Sequence, residues 1–289
     1  MRLCSRSSGK KTATRPMRSF DRIVATDVDG TLFRSDRTVS EVNLSTLRKL
    51  HEQGICTVLA TGRSIWSFTN LAGADFPVDY LVFSCGAGVM DWPAKKVIYK
   101  TGIDSAGIQK IKAYLRDLGA DFCIHDEIPG NHCFFPYRSG RLNPDFEKRV
   151  ATYLPFEKKV NDIKTATQIL AIFPGADHQQ LISDADRALS GFRVIRSTSP
   201  VDNASLWMEI FQKGVSKAAG IERIAELYNI KQQNIMAVGN DYNDVDMLDW
   251  AGQGFITANS PDELKEKYIT VPSNNEDGFT KAVEKWLRK

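Results

Sequence analysis

Two acidic residues at the end of an apolar run are the first candidates for chemistry. The segment Ile23–Thr26 leads directly into Asp27, and Asp29 follows two positions later, before Gly30 and Thr31. Paired carboxylates beside free backbone groups suit an oxygen-preferring cation such as Mg²⁺. A carboxylate can also attack phosphorus and form an aspartyl-phosphate. Phosphate chemistry at a divalent cation is therefore one hypothesis, and a solvated Asp-Gly turn is the alternative.

Similar polar residues follow other apolar segments. They are Thr61, Gly62 and Arg63 after the segment 55–60, Lys217 near the start of a helix, and Asn240, Asp241, Asn243 and Asp244 after the segment 235–238. Each group taken alone has a structural alternative, as a helix N-cap, a solvated lysine or a capped turn. Because the carboxyl ends of parallel strands lie at one edge of a sheet, we expect these groups to converge.

The alternation of elements predicts an α/β fold with a doubly wound, Rossmann-like parallel sheet. A strand at 23–26 precedes a helix from Ser40 to Glu52, and strands follow at 55–60 and 80–84. The pattern resumes with a strand at 206–210, a helix from Ser216 to Tyr228 and a strand at 235–238. Short β-branched runs that alternate with amphipathic helices are typical of this class.

Between these two parts the pattern changes to that of an inserted α+β domain. A hairpin is predicted at 88–99, followed by a helix from Asp104 to Leu118, a strand at 121–125, a loop-rich segment at 126–141, a strand at 167–173, a helix near 177–189 and a strand at 192–195. We therefore predict a core made of residues 20–85 and 206–289, with an inserted cap at 86–205.

Composition limits the classes of protein that fit. The net charge of +3 depends on six basic residues that precede the first acid, Asp21, so the remainder is mildly acidic and gives no indication of nucleic-acid binding. The sequence has no apolar run long enough to span a membrane. Five cysteines without a CxxC pair indicate a reduced, cytoplasmic protein.

The basic segment 1–19 is predicted to be a disordered tail. Met17 is an alternative start, and an organelle transit peptide is compatible with the composition.

Four segments in order resemble the motifs of the haloacid dehalogenase-like (HAD) superfamily. They are Asp27-Val28-Asp29-Gly30-Thr31, Thr61-Gly62-Arg63, Gly214-Val215-Ser216-Lys217 and Gly239-Asn240-Asp241-Tyr242-Asn243-Asp244-Val245-Asp246-Met247-Leu248. Order and spacing are most similar to the Cof-type sugar-phosphatase branch, which carries a C2 cap between motifs two and three. The resemblance covers about residues 20–289.

The resemblance implies a role for each motif. Asp27 is expected to be the nucleophile, and Asp29 the acid that protonates the leaving oxygen and later activates water. Thr61 and Lys217 are expected to hold the phosphate, with Gly62 and Arg63 in the same loop. The cofactor implied is Mg²⁺, held by Asp27, the Asp29 carbonyl oxygen and the fourth motif.

One position departs from the family pattern. The fourth motif usually begins Gly-Asp, whereas this chain has Asn240 in the place of that acid. An amide oxygen can bind Mg²⁺ but carries no charge. Asn240 and Asp244 are the metal candidates, and Asp241 is an alternative.

The sequence therefore predicts a Mg²⁺-dependent phosphatase that acts on a small phosphorylated metabolite such as a sugar phosphate. A phosphomutase of the same superfamily and a catalytically weak regulator that binds a phosphometabolite are the alternatives. No nucleic-acid or membrane partner is expected, and the oligomeric state is not predicted.

Overall fold

The computed structural model describes residues 19–159, 163–175, 179–202 and 204–288. The predicted tail lies almost entirely outside the described residues, as does the predicted start of the helix near residue 177. Within the described residues, no helix is long and apolar enough to cross a membrane.

The larger of two main sheets has eight strands in the order β15-β14-β13-β1-β2-β3-β4-β5. The strands are β1 (Arg22–Thr26), β2 (Ile55–Ala60), β3 (Tyr80–Phe83), β4 (Gly88–Asp91), β5 (Lys96–Lys100), β13 (Ile235–Gly239), β14 (Gln253–Thr257) and β15 (Ile269–Val271). The six strands from β15 to β3 are parallel, and β4 and β5 continue the sheet in antiparallel pairing.

Helices cover both faces of this sheet. They are α1 (Glu41–Glu52), α2 (Ile65–Ala72), α6 (Lys217–Leu227), α7 (Val245–Trp250), α8 (Asp262–Lys265) and α9 (Gly278–Leu287). Helices α1, α2 and α9 contribute to the hydrophobic cluster on one face, whereas α6, α7 and α8 contribute to the cluster on the other. Both faces are buried, which explains why the parallel strands are continuous apolar runs. The predicted doubly wound α/β fold is confirmed.

The second main sheet has five antiparallel strands in the order β11-β12-β10-β7-β8. These are β7 (Asp121–His125), β8 (Phe134–Tyr137), β10 (Gln168–Phe173), β11 (Phe192–Thr198) and β12 (Leu206–Gln212). A two-stranded ladder joins β6 (Ile103–Asp104) to β9 (Thr165–Ala166). The helices of this part are α3 (Ser105–Asp117), α4 (Pro144–Thr152) and α5 (Gln179–Ala188).

Three strands lie in a different sheet from the one that the sequence indicated. The strand at 206–210 was expected in the parallel core, but β12 pairs antiparallel with β10 and β11. The hairpin at 88–99 was expected in the insert, but β4 pairs with β3 and extends the large sheet. Both interpretations were wrong because the local pattern of a strand does not say which other strand it pairs with. We therefore propose that the insert runs from about residue 101 to about residue 213.

Candidate active site

The loops that carry the candidate residues meet at the carboxyl edge of the large sheet. Asp27 follows β1, and its backbone N–H donates to the carbonyl of Val238 in β13 at 2.9 Å. Thr61 follows β2, and its N–H donates to Val82 in β3 at 2.9 Å. Parallel pairing of these neighbouring strands places their ends side by side, so the expected convergence occurs.

Lys217 is the cation at the centre of this edge. Its Nζ donates to Asp27 Oδ1 at 2.7 Å and to Asp244 Oδ1 at 2.6 Å, and it lies 3.4 Å from Asn243 Oδ1. The side chain is completely buried. Lys217 begins α6, whose N-cap Ser216 accepts from the Ala219 N–H at 3.0 Å. A lysine without solvent contact needs such anionic partners.

Burial and neighbouring charges set the protonation of this cluster. Burial raises the pKa of Asp27 to about 7, although the nearby Lys217 ammonium lowers it. For Lys217, burial favours the neutral amine, but Asp244 and Asp27 together raise its pKa above the ordinary value. The lysine therefore stays charged, while the Asp27 carboxyl titrates close to neutral pH without a metal ion.

Asp244 shapes the loop after β13. Its second oxygen, Oδ2, accepts the backbone N–H groups of Asn240 at 2.8 Å and Asp241 at 3.1 Å. Gly239 is required beneath it, since a Cβ there would lie 2.5 Å from the Asp244 Cβ. Asp244 thus positions both Lys217 and the backbone that carries Asn240.

The Asn240 side chain faces oxygens of the Asp27–Thr31 loop. One terminal atom of its amide lies 2.9 Å from the Asp29 carbonyl oxygen, 3.2 Å from Asp27 Oδ2 and 3.0 Å from Thr31 Oγ1. Nitrogen at that position satisfies the amide, because it donates to all three of these oxygens. If the amide turns its oxygen toward a bound cation, that oxygen joins the Asp29 carbonyl and the Asp27 carboxylate in a cluster of three oxygens, which we call the oxygen cluster.

The spacing of the oxygen cluster fits Mg²⁺. Octahedral Mg²⁺ binds oxygens at about 2.0–2.1 Å, so adjacent ligands lie about 2.9 Å apart. The Asn240 atom is 2.9 and 3.2 Å from its two neighbours in the cluster. No group of three or more His, Cys, Asp or Glu side chains in the described ranges could hold a metal. The donors here are instead one carboxylate, one amide and one backbone carbonyl.

Asp29 and Arg63 form a bidentate pair beside the oxygen cluster. Arg63 Nε donates to Asp29 Oδ2, and Nη2 to Oδ1, both at 2.6 Å. The Asp29 carboxylate is half exposed, so it can reach a bound ligand. Thr61 is buried, and its Oγ1 accepts the Arg63 backbone N–H at 3.1 Å. Arg63 therefore holds Asp29 in this structure.

Residues 24–283 match the haloacid dehalogenase-like hydrolase family. The chain belongs to this family. The resemblance inferred from the four motifs is thereby confirmed.

Similar proteins of this family are phosphatases. A Bacillus subtilis protein, 5-amino-6-(5-phospho-D-ribitylamino)uracil phosphatase YitU, is 23% identical over 275 residues, which are 92% of this chain and 97% of that protein. A second B. subtilis phosphatase of the same description, YcsE, is 24% identical over 268 residues, with 92% of this chain and 96% of that protein covered. The expectation of a phosphatase enzyme is confirmed.

Solved structures of HAD phosphatases share the architecture. The phosphatase BT1666 of Bacteroides thetaiotaomicron has a TM-score of 0.74 and 25% identity, over 96% of this chain and 98% of that one. The subclass IIB sugar phosphatase BT4131 has a TM-score of 0.74 and 20% identity, over 92% of this chain and 98% of that one. Both the core and the insert of this HAD-like chain therefore have counterparts of known structure.

The insert of this HAD-like enzyme covers the edge of the large sheet. Asn131 Nδ2 donates to Ser84 Oγ at 2.7 Å, Thr198 N–H donates to Asp241 Oδ2 at 3.1 Å, and Arg193 Nη2 lies 2.6 Å from Asp246 Oδ2. These contacts join strand β11 and the loop between β7 and β8 to the segment after β3, the loop after β13 and helix α7.

Sequence reasoning missed Glu209, which is buried beneath this cover. Its Oε1 accepts from Ser197 Oγ at 2.7 Å and its Oε2 from Gln168 Nε2 at 3.3 Å. A Cβ on Gly62 would lie 4.0 Å from Glu209 Oε1. Burial raises the pKa of Glu209, although the Ser197 hydrogen bond lowers it. An acid inside the apolar run of residues 206–211 was the signal that could have identified it.

Proposed function

We propose that this enzyme is a Mg²⁺-dependent phosphatase of small phosphate monoesters that works through an aspartyl-phosphate at Asp27. The observation that carries the proposal is the position of Asp27. One of its oxygens meets Lys217 at 2.7 Å, while the other belongs to the oxygen cluster. A carboxylate fixed between a cation and a metal site can approach an anionic phosphate.

The oxygen cluster supplies the residues that would hold Mg²⁺. Asp27 Oδ2, the Asp29 carbonyl oxygen and Asn240 Oδ1 are the donors. When bound, Mg²⁺ offsets negative charge on the phosphate and on the carboxylate that attacks it. Asp244 contributes no oxygen to this cluster, and we assign it to holding Lys217.

The first step transfers the phosphoryl group to Asp27. A carboxylate oxygen of Asp27 forms a bond to phosphorus, and the bond between phosphorus and the ester oxygen breaks. Asp29 gives its proton to the departing alkoxide, which leaves as an alcohol. Lys217 and Thr61 hold the non-bridging oxygens of the phosphate, and the charge of Lys217 offsets the negative charge that meets Asp27.

The second step returns the enzyme to its starting state. Asp29, now ionised, takes a proton from a water molecule, whose oxygen attacks the phosphorus of the aspartyl-phosphate. The bond between phosphorus and Asp27 breaks, and inorganic phosphate leaves. The Arg63 guanidinium, which holds both Asp29 oxygens at 2.6 Å, would stabilise this ionised form, and Asp29 would have to leave the pair to carry the proton of the first step.

The proposed substrate is a small phosphorylated metabolite with a polar leaving group. Support comes from the relatives, which are described as phosphatases of a phosphoribitylamino-uracil and of sugar phosphates. The insert also hydrogen-bonds to the loops around the site, through Asn131 to Ser84 and Thr198 to Asp241, which favours a small substrate over a large phosphoprotein. Its polar groups, which include Glu209, Gln168 and Ser197, match hydroxyl-bearing leaving groups.

Release of inorganic phosphate from phenyl phosphate and a panel of sugar phosphates tests the proposal. Wild type, Asp27→Asn and Asp21→Asn are compared across a Mg²⁺ titration, with EDTA as the starting point. Asp21 is the matched control because it is an exposed acid just before the same strand. We expect Mg²⁺-dependent release by wild type and Asp21→Asn, and none by Asp27→Asn. Release without Mg²⁺, or by Asp27→Asn, contradicts the proposal, and so does turnover without free phosphate.

A further inference from the structure

Arg149 in α4 is a buried cation of the insert. The residue is only 6% exposed. Its Nη2 lies 2.9 Å from His125 Nε2, and its Nη1 lies 3.5 Å from Cys123 Sγ. Throughout the described part of the chain, no carboxylate lies within ion-pair distance of it, and its Nε has no hydrogen-bond partner. A guanidinium with five donors is thus matched to two weak acceptors.

Aromatic rings surround this guanidinium without neutralising it. Its central carbon lies 5.1 Å from the ring centre of Phe134, 5.5 Å from that of Tyr153 and 5.7 Å from that of Trp207. Cation–π contacts of this kind offset part of the cost of burial. The rings carry no net negative charge, so they do not neutralise the guanidinium. They also offer no conventional acceptor to the Nε–H, which remains without a hydrogen bond.

The neighbouring imidazole supplies no negative charge. His125 Nδ1 lies 2.9 Å from the carbonyl oxygen of Asn131, so Nδ1 carries the proton and Nε2 accepts from Arg149. Burial, reinforced by Arg149, lowers the pKa of His125 to about 3, and the ring stays neutral. His125 therefore fixes the orientation of Arg149 and does not pair its charge.

Asn131 lies on the other side of the same imidazole. Its Nδ2 donates to Ser84 Oγ at 2.7 Å, which ties it to the loop after β3. Asn131 is 3% exposed, and its Oδ1 has no partner among the described residues. The guanidinium of Arg149 contacts one ring nitrogen of His125 and the backbone carbonyl of Asn131 the other, and each of these two residues has an unused side-chain atom that is costly to bury unless a ligand satisfies it.

These groups adjoin the proposed phosphate site. The Ser84 N–H donates to the Arg63 carbonyl oxygen at 2.9 Å, so the partner of Asn131 contacts the loop of Thr61 and Arg63. From the other side, Gln168 faces His125 across the β7–β10 ladder and donates to Glu209, whose carboxylate lies over Gly62. A continuous polar path therefore leads from the phosphate site to Arg149.

We propose that Arg149 and Asn131 bind the leaving group, and that the substrate is a phosphorylated hydroxy acid. The carboxylate of that acid accepts from Arg149, and a neighbouring hydroxyl donates to Asn131 Oδ1. A carboxylate supplies an anion within ion-pair distance, which the buried guanidinium lacks among the described residues, since the charge of Glu209 acts on it only from farther away. This inference rests on the proposed function, because it names the class of ester that the phosphatase site takes.

Two esters that differ at one carbon test this inference. Gluconate 6-phosphate ends in a carboxylate beside a hydroxyl, whereas glucitol 6-phosphate carries a primary alcohol at that carbon. We expect the wild-type kcat/KM to favour gluconate 6-phosphate by about 10- to 100-fold, the range for a charge-assisted hydrogen bond. Arg149→Met should bring the ratio of the two kcat/KM values close to one, mainly through KM for gluconate 6-phosphate.

Two further variants complete the test. Arg138→Met is the matched control. Arg138 is an exposed arginine that pairs with Glu147, a residue of helix α4 like Arg149, and its replacement should keep the wild-type ratio. Arg149→Lys retains the positive charge but loses the paired donors of the planar guanidinium. We therefore expect a ratio of the two kcat/KM values between those of wild type and Arg149→Met. If Arg149→Met does not fold, the wild-type ratio and Arg149→Lys decide.

The outcomes separate this inference from the proposed function. Equal wild-type efficiency on the two esters, or hydrolysis of phenyl phosphate without either of them, overturns the inference and leaves the phosphatase proposal standing. An unchanged ratio in Arg149→Met also overturns it, because a purely structural arginine would lower both efficiencies together. Failure of wild type on every ester, including phenyl phosphate, is a failure of the proposed function itself.

Discussion

The ammonium of Lys217 lies 2.7 Å from Asp27 Oδ1, although 190 positions separate the two residues in the chain. The contact crosses the junction between the first and last parts of the core, and the whole insert lies between them in sequence. Asp244 binds the same ammonium at 2.6 Å. The proposed nucleophile is therefore held by a lysine that a second acid fixes in place.

Replacing Lys217 with methionine should abolish turnover and destabilise the fold. The change leaves Asp27 and Asp244 buried without their common cation, and breaking a buried ion pair from one side costs about 3–5 kcal/mol. We also expect kcat to fall by at least about 100-fold, since the positive charge opposite the attacking carboxylate is gone. Urea unfolding and steady-state phosphate release measure the two effects.

Lys213→Met is the control for that experiment, because Lys213 is exposed and precedes the same helix. It should change neither the free energy of unfolding nor kcat appreciably. Wild-type kcat in Lys217→Met would show that the lysine only stabilises the fold, and the assignment of Lys217 to phosphate binding would be lost.

Asn240→Asp should strengthen Mg²⁺ binding. The substitution adds a charge to the oxygen cluster, and Mg²⁺ favours sites with more carboxylate ligands. We expect the Mg²⁺ concentration that gives half-maximal activity to fall by about tenfold, which corresponds to about 1.4 kcal/mol. Asn240→Leu should raise it. Identical Mg²⁺ dependence in all three proteins would exclude Asn240 from the metal site.

Gly30→Ala should weaken the oxygen cluster through contact with Asn240. Gly30 has a φ of +75°, and a Cβ there would lie 2.7 Å from Asn240 Nδ2. Gly54→Ala is the matched control, with a φ of +70° and nothing within 4 Å of the added carbon. Both variants should lose about 1 kcal/mol of stability, because alanine strains a left-handed backbone. Only Gly30→Ala should require more Mg²⁺ for half-maximal activity.

Mg²⁺ affinity should depend on pH through Asp27. Burial raises the pKa of this carboxyl from 3.8 to about 7, so the metal-free fold keeps a proton that the unfolded chain has already lost. The contribution of Asp27 to the free energy of unfolding therefore falls as the pH rises from 3.8 to about 7.

Because Mg²⁺ requires the carboxylate, its affinity should rise by up to about tenfold per pH unit toward pH 7 and then level off. Calorimetric titrations between pH 5.5 and 8 check this, with Asp27→Asn as the control. A flat profile in wild type would show that Mg²⁺ binding releases no proton from Asp27.

The sequence was sufficient for the parallel strands β1, β2, β3 and β13 of the large sheet and for the loops around the proposed nucleophile. Apolar runs such as Ile23–Thr26 are buried on both faces, and each ends at a polar loop on the same edge, so local pattern and parallel topology agree. The Ser40 N-cap of α1 was predicted for the same reason, and its Oγ accepts the Asn43 N–H at 3.1 Å.

The limits of the insert and the groups above the site could not be predicted in this way. Strand β12 has the apolar composition of a core strand, and only its partners β10 and β11 place it in the second sheet. Glu209 comes close to Gly62, and Arg149 to His125, only after the chain folds. Their spacing in sequence has no local signature, because long-range packing brings them there.

The aspartyl-phosphate at Asp27 is tested most directly by trapping it. Enzyme that is turning over substrate is quenched in acid and treated with borohydride, which reduces an acyl phosphate to an alcohol. Mass spectrometry of the peptide that contains residue 27 then reads the outcome, with Asp27→Asn and a sample without Mg²⁺ as controls. We predict homoserine at position 27 in wild type with Mg²⁺ and in neither control. Continued phosphate release with an unmodified Asp27 peptide would contradict the account.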